Sequence, residues 1–179
     1  MQLVINTTKI LNDFISLLNS KFEDYLFIRN FNINNKPPYP YITVGITTPY
    51  IPVNENNRPN IVLERDDENN AIKRIRKEQP QMVLSINIFS ENEEESFDIC
   101  MAITSALKFI YYDEFSERGI IILNTTNPRN LTGILEVDYE YRWQFDCRVR
   151  VNSELVMTID ATQSIELTDE TIDKTTIIK

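Results

Sequence analysis

The chain has 179 residues, 42% of them hydrophobic, and carries a formal net charge of −9 at pH 7. This length predicts one domain with a core large enough to fold without metals or disulfides. The negative charge argues against general binding to duplex DNA, which depends on Lys and Arg neutralising phosphates.

The first half of the chain predicts one helix followed by strands. Apolar side chains recur at helical spacing over residues 7–23, which predicts an amphipathic helix that Asn6 or Thr7 could cap. Strands are predicted at 25–29 and 41–46. The proline- and asparagine-rich segment 49–80 predicts an extended hairpin around a DDENN turn, or else a long loop.

The second half predicts another helix and further strands. A strand at 82–89 leads into a helix that runs to about Tyr112, with Ser90 and Glu93 as a capping box. A strand at 120–123 follows, and 155–159 is predicted to pair back on the preceding strand as a hairpin arm. The order of elements predicts an α+β class, with a mostly antiparallel or mixed sheet packed by two helices. We expect one domain over residues 1–160 and a partly disordered tail at 161–179.

The stretch DYEYRWQFDCRVRV at 138–151 alternates strictly between apolar and charged or amide residues, which is a strong strand signal. Its apolar side and the second helix supply the predicted core residues Tyr141, Trp143, Phe145, Phe97 and Met101. Its other side carries Arg142, Arg148 and Arg150. Because strands usually have about 5–6 residues, this one should bend or reach the edge of the domain. Spacing alone leaves open an ordinary half-buried strand and a surface for a neighbouring chain.

The residue types of the chain argue against an enzymatic function. The chain has no histidine and three glycines, which removes the commonest general base and any glycine-rich phosphate loop. The acidic run Glu93, Glu94 and Glu95 could be imagined as a metal site, but a solvated helix start matched to the helix dipole is favoured. Cys100 and Cys147 have no metal-like spacing and predict buried thiols in a reducing cytosol. We therefore expect no catalytic residues, no metal and no cofactor.

Two further features concern partners and location. A basic cluster, Lys73, Arg74, Arg76 and Lys77, predicts a solvated hairpin arm or a contact to an acidic neighbour. No basic start with an apolar run marks a signal peptide, and no run approaches the ~20 apolar residues of a membrane helix. We therefore expect a protein that is made in the cytoplasm and makes no membrane contact.

Four segments together resemble the phage tail-terminator, or neck-terminator, proteins. They are PPYPYITVGI at 37–46, VLSINIFSENEEESFDICMAITSALKFI at 83–110, GIIILNTTNPRNLTGI at 119–134 and YEYRWQFDCRVRV at 139–151. In the last segment Glu140, Arg142, Phe145 and Asp146 are the matching positions. The resemblance covers most of residues 1–160 in layout, and 49–80 and the tail depart from it most.

The resemblance implies a structural virion protein that is assembled in the host cytoplasm. Such a subunit forms a ring, usually a hexamer, which caps the tail tube and stops its polymerisation. The implied partners are other copies of the chain, tail tube and sheath proteins, and the head-tail connector, with DNA only in transit through the lumen. The arginine-bearing strand face and the acidic residues 93–95 are candidates for complementary patches between subunits.

Two other functions remain open at the level of sequence. One is a soluble protein-binding adaptor elsewhere in the neck, or an interaction module directed at the host. The other is an enzyme, such as a nuclease, that acts through carboxylates and a metal.

Overall fold

A computed structural model describes residues 6–30, 36–52, 60–66, 71–135, 138–160, 165–169 and 174–178. The chain divides into two compact units. The first comprises Met1–Arg58 and Glu78–Ser153, and the second comprises Pro59–Lys77 and Glu154–Lys179. The chain is α+β, as predicted. The predicted boundary at residue 160 stays a prediction.

The first unit holds helices packed on one sheet. Its helices are α1 (Thr7–Lys21), α2 (Glu93–Ser105) and α3 (Tyr112–Glu117), and a π-helical turn, Ala106–Ile110, lies between the last two. Its strands are β1 (Leu26–Arg29), β2 (Tyr41–Ile51), β5 (Gln81–Ser90), β6 (Ile120–Thr125), β7 (Arg129–Asn130), β8 (Gly133–Leu135) and β9 (Asp138–Val151). The sheet order is β1-β2-β5-β9-β6, with β7 and β8 also paired to β9. All pairs are antiparallel except β1 with β2, so the sheet is mixed.

The second unit holds β3 (Asn60–Asp66), β4 (Ala71–Glu78), β10 (Ser153–Asp160), β11 (Ile165–Asp169) and β12 (Lys174–Ile178). Strands β3 and β4 form the antiparallel hairpin that the sequence indicated, and β10 pairs with β4 on its other side. Strands β11 and β12 form a separate antiparallel pair within the predicted tail. The turn at 67–70 lies outside the described residues.

Strand β9 is the centre of the first unit's sheet. One edge pairs with β5 from Tyr141 to Arg150. The other edge pairs in succession with β8, β7 and β6. Because β9 is unusually long, three short strands can pair with the same edge of it. Both edges of β9 are occupied, which explains why the hairpin arm predicted at 155–159 was wrong: β10 pairs with β4 instead.

The core lies between the sheet and the helices. Alternate residues of β9 point into it, and Phe145, Cys147, Val149 and Val151 are buried there, while Tyr141 and Trp143 are half-buried. The helices contribute Phe14, Leu18, Ile99, Cys100, Ile103, Leu107 and Phe115. We call this side of the sheet the core face. The other side, which carries the even-numbered residues of β9, is the open face.

The second predicted helix differs from the structure in three respects. Asn92 caps α2, because its Oδ1 accepts from the backbone N–H of Glu95, whereas Ser90 was expected in that place. The helix is also interrupted where the N–H of Tyr111 donates to the carbonyl of Ala106, five residues earlier, at 3.0 Å. Finally, Phe97 and Met101 are 40% and 42% exposed rather than in the core. The core side of α2 is filled by Ile99, Cys100 and Ile103, so these two residues lie on its outer side.

Candidate interaction surfaces

Glu140 links β9 to the segment before β2. Its Oε1 accepts a hydrogen bond from the Tyr39 hydroxyl at 2.6 Å and lies 2.6 Å from Nζ of Lys36. Burial by itself raises the pKa of Glu140, but the hydrogen bonds from Lys36 and Tyr39 outweigh it and hold this pKa below its ordinary value. Glu140 is therefore an ionised carboxylate that is engaged within its own subunit.

Arg142 ends a row of stacked aromatic rings on the open face. The ring centroids of Tyr39 and Tyr41 lie 5.6 Å apart, and those of Tyr41 and Phe89 lie 4.8 Å apart. The guanidinium of Arg142 lies 5.3 Å from the Phe89 centroid, and its Nη2 donates to Oδ1 of Asn87 at 2.7 Å. These contacts tie Arg142 to its own subunit, and the partner contact expected for it stays a prediction.

Asp146 also makes its contacts within the subunit. Its Oδ2 lies 3.3 Å from Nη2 of Arg129, and its backbone N–H donates to Oγ1 of Thr126 at 2.8 Å. Beside it, Gln144 donates to Oγ of Ser85 at 2.7 Å. Phe145 is fully buried. The four positions that carry the sequence resemblance thus all build the sheet and its supports.

Arg148 and Arg150 continue the open face toward the end of β9. Arg148 is exposed and lies between Val83 of β5 and Asn124 of β6 in the strand register. Arg150 is half-buried at the next position on the same face. These two cations form the basic end of the open face.

The acidic run begins α2. Glu93, Glu94 and Glu95 are all exposed in the first turn, where carboxylates complement the helix dipole. The carboxylate of Glu95 accepts from the hydroxyl of Ser90, which holds it close to the helix start. Glu93 and Glu94 lie on the same side of α2 as Phe97 and Asp98, because residues three and four apart share a helix face.

An apolar row follows these acids along the outer side of the helix. Phe97 and Met101 lie one turn apart, and Phe109, in the π-helical turn, is 86% exposed. We call Phe97, Met101 and Phe109 the helical row. Phe97 also contacts Trp143, with ring centroids 5.1 Å apart. Sequence reasoning did not single out Phe109. An α-helix has about 3.6 residues per turn, so a residue twelve positions after Phe97 does not share its face and periodicity gave no signal for Phe109.

The predicted basic cluster is divided between the two faces of the β3–β4 hairpin. Lys73 shares a face with Ala71 and Ile75, which are buried. Arg74 lies on the opposite face, directly across from Leu63, which is 66% exposed. The residues that the register places on that second face are the hairpin row: Ile61, Leu63, Arg65, Ile72, Arg74 and Arg76. This row is basic and apolar, and the acidic neighbour Glu64 falls on the other face.

The described residues form neither a metal-binding cluster nor a membrane-spanning helix. Within that part of the chain, no group of three or more Cys, Asp or Glu residues is placed to hold a metal ion. Among the described helices, none combines the length and apolar character that crossing a bilayer requires.

A family model described as phage neck terminator protein matches residues 6–177. The match includes both the 49–80 segment and most of the tail, where the sequence resemblance was weakest. None of the curated proteins matches the chain.

Proposed function

The chain belongs to the phage neck terminator protein family, and we propose that it assembles head to tail into a ring, a hexamer, that caps the tail tube and stops its polymerisation. As a structural protein of the phage neck it would then offer the opposite side of the ring to the head-tail connector. We propose that tail tube and sheath proteins are its other partners. Assembly would take place in the host cytoplasm, and DNA would pass through the lumen.

The observation that carries this proposal is the placement of two oppositely charged surfaces on opposite sides of one sheet. The acidic start of α2 lies on the helical side, and Arg148 and Arg150 lie on the open face. A head-to-tail contact needs two different patches on each subunit, and a ring results when the rotation between subunits closes. Patches on opposite sides of a subunit are suited to such a contact, because each can face a different neighbour.

The charge of the chain supports DNA in transit rather than DNA binding. A ring of subunits that each carry −9 would be strongly negative as a whole. Like charge repels phosphate, so DNA would pass without being held.

The test reverses the basic end of the open face. We expect Arg148→Glu/Arg150→Glu to fold normally but to lose ring formation or joining to tail tube, seen by sedimentation and negative-stain images with purified tube protein. Lys9→Glu/Lys77→Glu has the same change in charge on other surfaces and should assemble like the wild type. Equal assembly by both variants would remove this surface from the interface. A wild-type chain that neither forms rings nor joins tubes would favour the adaptor function instead.

A further inference from the structure

The hairpin row is an exposed surface of mixed character. The register places an arginine directly across from each aliphatic residue: Ile61, Leu63 and Ile72 are all exposed, and so are Arg65 and Arg74. The buried residues of the same hairpin, Ala71 and Ile75, lie on the other face. Exposed apolar surface that is contiguous and rimmed by polar residues marks protein–protein interaction sites.

The helical row has the complementary character. Phe97, Met101 and Phe109 expose apolar surface, and the acids Glu93, Glu94 and Asp98 lie next to Phe97 on α2. Phe97 packs one side of its ring on Trp143 and leaves 40% of its surface exposed, and Met101 and Phe109 are exposed beyond it. A partner for this surface must therefore supply both apolar contacts and positive charge.

We propose that the hairpin row of one subunit binds the helical row of a second copy of the same chain. This proposal rests on the ring assembly proposed above and names the contact that joins its subunits. Both surfaces combine aliphatic or aromatic side chains with charges, and the charges have opposite signs. Because every copy carries both surfaces, each subunit can give its hairpin to one neighbour and receive a hairpin from the other, which is the contact a closed ring requires.

The open face of β9 fits the helical row less well. It contributes Glu140 and Asp146, which carry the same charge sign as the acids of α2. Its side chains Arg142 and Gln144 are already bound to Asn87 and Ser85. Its basic end, at Arg148 and Arg150, can meet the acids of α2 but carries no apolar side chain of its own for Phe97 or Met101.

A charge exchange tests the pairing. We expect Arg74→Glu and Glu94→Lys each to raise the protein concentration needed for half-maximal ring assembly by about tenfold or more, since each places like charges opposite one another. The double variant R74E/E94K restores opposite signs at both surfaces and should recover most of the assembly. Lys77→Glu, on the other face of the same strand, and Glu117→Lys, on α3, are the matched controls and should assemble like the wild type.

Engineered disulfides locate the contact independently. Proteins carrying I61C or L63C are mixed with proteins carrying F97C or M101C, so that any bond between the two kinds of protein is between copies. Burial raises the pKa of Cys100 to about 11 and of Cys147 to about 12, so these native thiols react slowly at mild pH. At least one of the four mixtures should form covalent dimers under assembly conditions, because disulfides need closely apposed residues.

The outcomes separate this proposal from the proposed function. If the wild type assembles but R74E behaves like K77E, the double variant gives no rescue and no mixture forms dimers, the hairpin contact is overturned while ring assembly stands. If the wild type does not assemble at all, ring assembly itself fails and this contact fails with it.

Discussion

Arg142 offers the sharpest distinction between a residue that builds the fold and one that meets a partner. Arg142→Ala removes a charge-assisted hydrogen bond to Asn87, whose side chain is 2% exposed and would be left without this donor. Such a bond contributes about 1.5–3 kcal/mol, and the stacking on Phe89 adds about 0.5–1 kcal/mol. Allowing for overlap between the two, we expect the free energy of unfolding to fall by about 2–3 kcal/mol. For a chain of this size the melting temperature would drop by about 4–12 °C.

The chain carries its own probe for this measurement. Trp143 is the single tryptophan and lies next to Arg142 on β9, so its fluorescence during urea unfolding reports on the first unit. Arg148→Ala, six residues along the same face, should change the free energy by less than about 0.5 kcal/mol. A double-mutant cycle with Asn87→Ala should give a coupling energy of about 1 kcal/mol or more. Equal stability of the Arg142 and Arg148 variants, or additive effects in the cycle, would refute the intrasubunit role.

The remaining predictions concern stability. Phe145→Ala should lower the free energy of unfolding by about 3–5 kcal/mol, the usual range for a fully buried phenylalanine. Trp143→Ala should lower it by about 2 kcal/mol, because its ring is half-buried. Urea unfolding followed by circular dichroism measures both, and a larger loss for Trp143→Ala would contradict the packing described. Glu140→Gln should destabilise the protein near neutral pH, since the carboxylate that accepts from Lys36 is lost. Because the pKa of Glu140 is lowered in the folded state, its contribution is complete above about pH 4.3 and disappears as the pH falls through the folded pKa. A difference between wild type and E140Q that stays constant from about pH 7 to about pH 3 would exclude this ion pair as its source.

The sequence predicted the structure best where apolar residues recur with one clear period. Strict alternation over 138–151 predicted a long strand and placed Phe145 on its apolar side, because side-chain direction in a strand follows from position alone. The same rule could have separated Lys73 from Arg74 and Arg76, which were taken as one cluster.

Pairing and helix orientation could not be predicted from such local signals. The partner of β10 depends on which strand edges remain free after β5, β6, β7 and β8 have paired with β9, and this is a property of the whole fold. In α2 the apolar residues cover more than half of the helix circumference. Helical periodicity therefore did not decide whether Phe97 and Met101 or Ile99 and Ile103 face the sheet.

The four β9 positions that carry the sequence resemblance are not the ones best suited to select a partner. Glu140, Arg142, Phe145 and Asp146 each connect β9 to another part of the same subunit. A substitution at any of them should therefore reduce stability first, and assembly only as a consequence. The surfaces that we propose select a partner lie elsewhere: the basic end of the open face, the helical row and the hairpin row. Changes confined to these surfaces should redirect assembly while unfolding curves stay the same, which separates the two groups of residues by measurement.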